Sequence, residues 1–184
     1  MKFVATAIPG VILVSPRRLT DARGSFSKIF QEKLFGEYEM SPKWREAYVS
    51  TTVPNAVRGL HFQVPPAGHD KLVVCVEGAV FDVALDIRVG SPTYGDHVSA
   101  TLSADGFDAI YIPSGVAHGF CALEGMATLF YLTTSIHEAS LDCGIAWDSA
   151  EIMWPIANPI LSERDTQHPR LEDFDSPFRF QSDQ

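Results

Sequence analysis

The chain has 184 residues, 46% of them hydrophobic and 20% charged, which suits one globular domain over 1–184 and excludes a disordered or fibrous protein. Its net charge of −9 argues against a nucleic-acid partner, which would want a basic face, and against an anionic membrane surface. An anionic small ligand therefore needs a local cluster of basic residues held against the overall field.

In chain order, residues 1–14 are apolar but interrupted by Pro9 and Gly10, which predicts neither a signal peptide nor a membrane span. Residues 32–37 suit a short helix. Residues 57–63 read as a strand that carries a cation, a glycine and an imidazole. Residues 72–76 and 81–88 are strands joined through Glu77-Gly78, a hairpin signal. In the second of these, Phe81, Val83, Leu85 and Ile87 share one face and Asp82, Asp86 and Arg88 the other, a period of two. Residues 109–112 and 127–133 are further strands, and Gly, Pro and Asp mark turns at 89–92, 104–106, 113–115 and 124–125. Residues 162–167 predict a second short helix. From Asp173 a polar tail with Phe174, Phe178 and Phe180 packs as a C-terminal arm, 173–184, or frays. Many short strands at this spacing predict an all-β sandwich or barrel. Cys75, Cys121 and Cys143 form no C-x-x-C pair; the first two sit in apolar runs as buried hydrophobes, and a reduced, cytoplasmic setting fits best.

The chemistry concentrates in Val57-Arg58-Gly59-Leu60-His61-Phe62-Gln63. Plain strand alternation sends Arg58 and His61 to opposite faces; a bulge at Gly59 admits both to one cavity. A histidine there is a general base near neutral pH, since its unperturbed pKa is about 6.5. The bland alternative is a satisfied core histidine beside a surface arginine. Pro113-Ser114-Gly115-Val116-Ala117-His118 has the P-x-G-x-x-H spacing of a cupin turn, with the histidine directed into a barrel. Tyr131 on its own reads as a core tyrosine, Lys71 as a solvated strand-end lysine and Asp165 as an exposed helix-start acid. A metal site from His61, His69 and His118 with Asp70 has suitable ligand types, but the H-x-H of metal-dependent cupins is absent and the spacing is wrong.

Together, Asp21-Ala22-Arg23-Gly24-Ser25-Phe26, the 57–63 segment, Lys71-Leu72-Val73, residues 78–88, Gly90-Ser91-Pro92-Thr93-Tyr94-Gly95, residues 112–120 and Leu161-Ser162-Glu163-Arg164-Asp165 resemble, in order, the dTDP-4-dehydrorhamnose 3,5-epimerase family and its sugar-nucleotide relatives. The resemblance runs from about Val11 to Asp165. It implies a double-stranded β-helix (cupin, jelly-roll) fold with short helical segments, a homodimer, no cofactor and metal-free catalysis. It makes His61 the base, Asp165 the carboxylate that orients it and Tyr131 the proton donor. It makes Arg23, Phe26, Glu46, Arg58, Lys71, His118, Asp142 and Arg164 the substrate-binding set.

Such chemistry needs these residue types. The C3 and C5 protons of a 4-keto sugar are acidified by the carbonyl, and removing one leaves an enolate. A cation or donor near O4 then stabilises the oxyanion, and Arg23 and Arg58 suit a diphosphate. The chain departs from the resemblance in the ligand shell: Lys28, Tyr48, His69-Asp70, Val74, Ile136-His137 and Asp142 replace the usual residues. These departures predict a preference for a nucleotide or stereochemical pattern other than the usual dTDP-rhamnose precursor. The alternatives are a C5-only or C3-only epimerase of a CDP- or GDP-linked 4-keto-deoxysugar, a metal-dependent cupin oxygenase or isomerase, and a non-catalytic sugar-binding cupin.

Overall fold

A computed structural model describes residues 1–40 and 43–181. The strands in chain order are β1 (Lys2–Ala5), β2 (Ile12–Ser15), β3 (Arg18–Asp21), β4 (Gly24–Ser27), β5 (Glu46–Thr52), β6 (Val57–Gln63), β7 (Lys71–Glu77), β8 (Ala79–Asp86), β9 (His97–Ser103), β10 (Ala109–Ile112), β11 (Val116–Ala122), β12 (Ala127–Thr133) and β13 (Asp142–Gly144). One helix, α1 (Glu32–Gly36), lies between β4 and β5. The sequence signal at 162–167 becomes only a 3₁₀ turn, Asp165–Gln167. Pro169 stops it, because the residue before a proline is driven to extended backbone, as His168 is at φ −65 and ψ 144.

Two antiparallel sheets face each other, in the orders β1-β2-β10-β7-β12-β5 and β13-β6-β11-β8-β9. The β3–β4 hairpin stands outside both. The fold is the predicted all-β, cupin-like jelly-roll. The signal at Glu77-Gly78 was nevertheless wrong in kind: β7 and β8 lie in different sheets, so the turn carries the chain across rather than back. The turns after β9, β10 and β11 also cross, whereas the one between β8 and β9 joins neighbours. Turn chemistry fixes local φ and ψ, and both kinds of connection satisfy it.

The period-two pattern of β8 is present, but both of its faces are covered. Val83 and Leu85, with Ile87 beyond the strand, are buried against Leu60, Phe62 and Phe178, with Phe174 and Trp154 packed alongside, on the outer face of the five-stranded sheet. The tail is thus pinned, and Val89 pairs with Arg179; residues 182–184 of the predicted arm lie outside the described residues. Val80 and Ala84 face the other way, into the space between the sheets, with Val73, Leu129 and Tyr131. The outer face of the six-stranded sheet packs Leu72 and Val74 beneath Phe35 of α1. Cys75 and Cys121 are buried free thiols, as their apolar surroundings suggested. Among the described residues no helix is long and apolar enough to cross a membrane.

The bulge expected at Gly59 is there. His118 pairs with His61 and Phe120 with Arg58, so two steps on β11 span three on β6. Gly59 has φ +134, and a Cβ on it would lie 2.5 Å from Gly119 Cα. The two backbones touch only because neither position has a side chain. Gly59→Ala should therefore destabilise the fold by about 3 kcal/mol, combining positive-φ strain with overpacking, as read from urea denaturation. A midpoint unchanged from wild type would contradict this.

Candidate active site

The bulge brings Arg58 and His61 to the same cavity, a space of about 250 Å³ also lined by Lys71, His118, Tyr131 and Arg164. It shares Tyr48, His61 and Lys71 with a second space of about 320 Å³, lined further by Glu46, Gln63, His69 and Asp142. The two form one cleft between the sheets, with His61 on β6 in one wall and Tyr131 on β12 in the other.

The His61 imidazole and the Asp165 carboxylate meet at Nε2 and Oδ1, 2.6 Å apart. Burial pushes the Asp165 carboxyl up, but His168 and His61 beside it more than reverse this and hold it well below the usual carboxylate range. An ionised Asp165 accepts, so His61 Nε2 carries the proton and donates, and Nδ1 keeps its lone pair. Burial lowers the His61 pKa, against the pull of Asp165, so the ring is neutral at physiological pH and able to take a proton. Asp165 is buried rather than an exposed helix-start acid.

Lys71 is also buried, and its Nζ donates to the His61 carbonyl at 3.0 Å. Burial brings its pKa down to about 8, with Asp142 and Asp82 opposing, which leaves a cation at neutral pH that a more basic ligand oxygen can use. Opposite it on β11, His118 Nε2 is 2.8 Å from Asp82 Oδ2, a second buried imidazole–carboxylate pair. Burial raises the Tyr131 phenol, which therefore stays protonated at neutral pH; Ser50 donates to its oxygen at 3.4 Å. The Tyr48 ring stacks on Tyr131, with centroids 4.6 Å apart and planes at 11°.

Arg58 is anchored by Thr52 and the Thr51 carbonyl. Arg164 pairs with Asp142 at 2.6 Å, and Glu46 accepts the His137 backbone N–H at 2.7 Å. Nine of the eleven site residues read from the sequence thus gather in or beside the cleft, Asp165 reaching it through its bond to His61. Arg23 and Phe26 do not: they sit on the β3–β4 hairpin, where Arg23 binds Asp21 and is 89% exposed, and Phe26 is 63% exposed. Sequence reasoning passed over Asp82 as a partner for His118, and passed over His168, whose Nε2 is 3.4 Å from Asp165 Oδ1. The parity of Asp82 on β8 was a usable signal; His168 stands in no motif.

Among the described residues the metal set weighed from the sequence, His61, His69 and His118 with Asp70, does not assemble. His118 is taken by Asp82, and His69 Nδ1 lies against Gln63 and the Ala67 carbonyl. The group that does bring ligand atoms within 4.8 Å of one another, among the described residues, is His61, Asp165 and His168. Two ligands on a tetrahedral ion, each about 2.0–2.1 Å from it, stand about 3.3 Å apart. The 2.6 Å between His61 and Asp165 suits a shared proton.

A jelly-roll barrel with a neutral imidazole in one wall, a protonated phenol in the other and a buried lysine beside them is an arrangement that suits an acid–base isomerase. A profile for dTDP-4-dehydrorhamnose 3,5-epimerase matches residues 5–173. A Shigella flexneri dTDP-4-dehydrorhamnose 3,5-epimerase is 39% identical over 95% of this chain and 98% of its own. A Streptomyces niveus dTDP-4-dehydrorhamnose 3-epimerase is 38% identical over 90% of this chain and 81% of its own. The structure of dTDP-6-deoxy-D-glucose-3,5-epimerase from Legionella pneumophila Philadelphia 1, in complex with dTDP-4-keto-L-rhamnose, superposes with a TM-score of 0.93 at 32% identity, covering 98% of this chain and 99% of that one. The chain belongs to the dTDP-4-dehydrorhamnose 3,5-epimerase family.

The Lys71 pKa gives the pH dependence a sign. The lysine is cationic below about 8 and neutral above it, so turnover that needs the cation should fall as pH rises through about 8. Unfolding is not the cause: between about 8 and the ordinary 10.5 the unfolded chain binds this proton and the folded one does not, so stability from this group rises with pH. A kcat profile should show the alkaline limb, and Lys71→Arg, slower but permanently charged, should lack it. Equal limbs in both proteins would refute the role of Lys71.

Proposed function

We propose that His61 removes the C3 or C5 proton of a dTDP-linked 4-keto-6-deoxyhexose and that Tyr131 returns one from the opposite side. The observation that carries this is the placement of base and acid on opposing sheets across one cleft. Epimerisation of a nucleotide-linked 4-keto-deoxysugar, in deoxysugar biosynthesis, is the activity of the chain as a member of its family. The relatives named above are dTDP enzymes, which supports dTDP as the nucleotide over CDP or GDP.

In the first step Nδ1 of His61 takes the proton and the electron pair moves onto O4. The imidazolium is held by the Asp165 carboxylate through the 2.6 Å bond. Lys71 and His118, both buried in the cleft, stabilise the oxyanion. Arg58, on the same bulge, lies within reach of the diphosphate. Tyr131 then protonates the carbon from the other face and the centre is inverted. The step needs neither metal nor redox cofactor, since protons and electrons balance among these residues and the substrate.

The active form is a homodimer. β5 is one edge of its sheet, Val49 on it is 63% exposed, and the β3–β4 hairpin shows Phe26 and Leu19 to solvent. A second copy covering this edge would also carry Arg23 and Phe26 from each hairpin to the cleft of the other copy, which accounts for their distance from their own.

The chemistry is tested with the dTDP-4-keto-6-deoxyglucose substrate in deuterated water, with NMR reading C3 and C5 separately. Wild type should incorporate deuterium at both carbons. His61→Ala should incorporate none, while Tyr131→Phe should still exchange but yield little inverted product. Exchange at one carbon only would identify a single-carbon epimerase, and near-normal turnover in both variants would remove the assignment. Sedimentation at micromolar concentration should give twice the 20.2 kDa chain mass, and Phe26→Asp should yield a monomer with little activity. A fully active wild-type monomer would refute the dimer.

A further inference from the structure

His168 is the polar group of the site that the mechanism has not used. Its side chain is only 9% exposed, and its Nε2 is buried with no hydrogen-bond partner among the described residues. A buried nitrogen left this way is costly and calls for a reason. That nitrogen is 3.4 Å from Asp165 Oδ1, the same oxygen that holds His61. The His168 ring meets the His61 ring edge-on, with centroids 5.6 Å apart at 75°.

The fold makes room for this ring. Gly144 of β13 pairs in register with His61, and any Cβ on Gly144 would run into the His168 imidazole. Pro169 holds His168 extended, and the Pro169 carbonyl accepts the Ala146 N–H at 2.8 Å, which ties the segment to the chain just past β13. A space-filling role alone would not need a nitrogen aimed at the carboxylate.

We propose that His168 is a positioning residue for the base: its Nε2–H is a second donor to Asp165, which closes to hydrogen-bond distance as His61 takes the substrate proton. At 3.4 Å the contact is loose in the free protein, as such bonds often are before substrate is bound. Two donors converging on one oxygen fix the direction of the carboxylate and keep it ionised. His61 is thereby held as the Nε2–H tautomer, with Nδ1 turned to the cleft. A stray cation is not required, and no proton is gained or lost by His168 in the cycle.

The inference rests on His61 being the base, which His61→Ala tests separately. The direct test is long-range ¹H–¹⁵N NMR of the two rings in the wild-type protein. His168 should be a neutral ring protonated on Nε2; a neutral ring with the proton on Nδ1 and the lone pair on Nε2 would overturn the proposal without any variant. His168→Phe keeps the ring shape and removes the donor. It should lower kcat about tenfold, change KM by less than about twofold, and mix the His61 tautomers. His168→Gln, which restores an N–H, should recover most of the rate. Wild-type kcat and an unchanged His61 spectrum in His168→Phe would reduce His168 to packing and overturn the assignment, even with His61→Ala inactive.

Discussion

The contact on which the site depends is the one between two backbones, Gly59 against Gly119. It permits the extra residue on β6, and the extra residue turns Arg58 to the side on which His61 already lies. Without it, strand alternation would place the cation and the base on opposite faces of the sheet. Arg58 would then be separated from His61 by the thickness of the sheet. A steric fact at two glycines thus decides whether the cleft has both functions.

Burial then sets the working protonation states, and it acts in one direction for every group. It disfavours charge on His61, Lys71 and Tyr131 alike. For His61 and Tyr131 this suits the proposed roles, because a base must begin neutral and an acid must keep its proton. For Lys71 it is opposed by Asp142 and Asp82, which keep the pKa near 8 and the cation present at neutral pH. Asp165 is the exception, since the His168 and His61 imidazoles beside it outweigh burial and leave a fixed negative charge against His61. An overall charge of −9 hides this arrangement, since the carboxylates of Asp165 and Asp82 are buried against imidazoles.

What could be read from the sequence was what local geometry determines. The strand at 81–88 and the bulge at Gly59 follow from period two and from the absence of Cβ, and both are present. The sheet change at Glu77-Gly78 could not be read, because a crossing turn and a hairpin turn use the same residues. Lys71 and Asp165 looked solvated in isolation, since burial of a charge depends on partners more than 90 residues away in the case of Asp165 and His61. Their roles were legible only through the resemblance of ordered segments. Arg23 and Phe26 were named by the same resemblance, and no single copy of the chain brings them to the cleft.

His168 escaped both kinds of reading because its position depends on the C-terminal segment, which folds back as a strap. That strap has two attachments of different character. Phe174 and Phe178 lie on the apolar outer face of β8 and β6, where burial is non-directional and tolerant. At the other end Asp165 meets His61 through a directional polar contact, with His168 beside the same carboxylate oxygen. The apolar attachment supplies the stability and the polar one uses it, because a carboxylate held at 2.6 Å requires a segment that cannot drift. The period-two pattern that marks β8 as a strand is therefore also the reason that the base has an oriented partner: the face of β8 turned away from the cleft anchors the segment that carries Asp165.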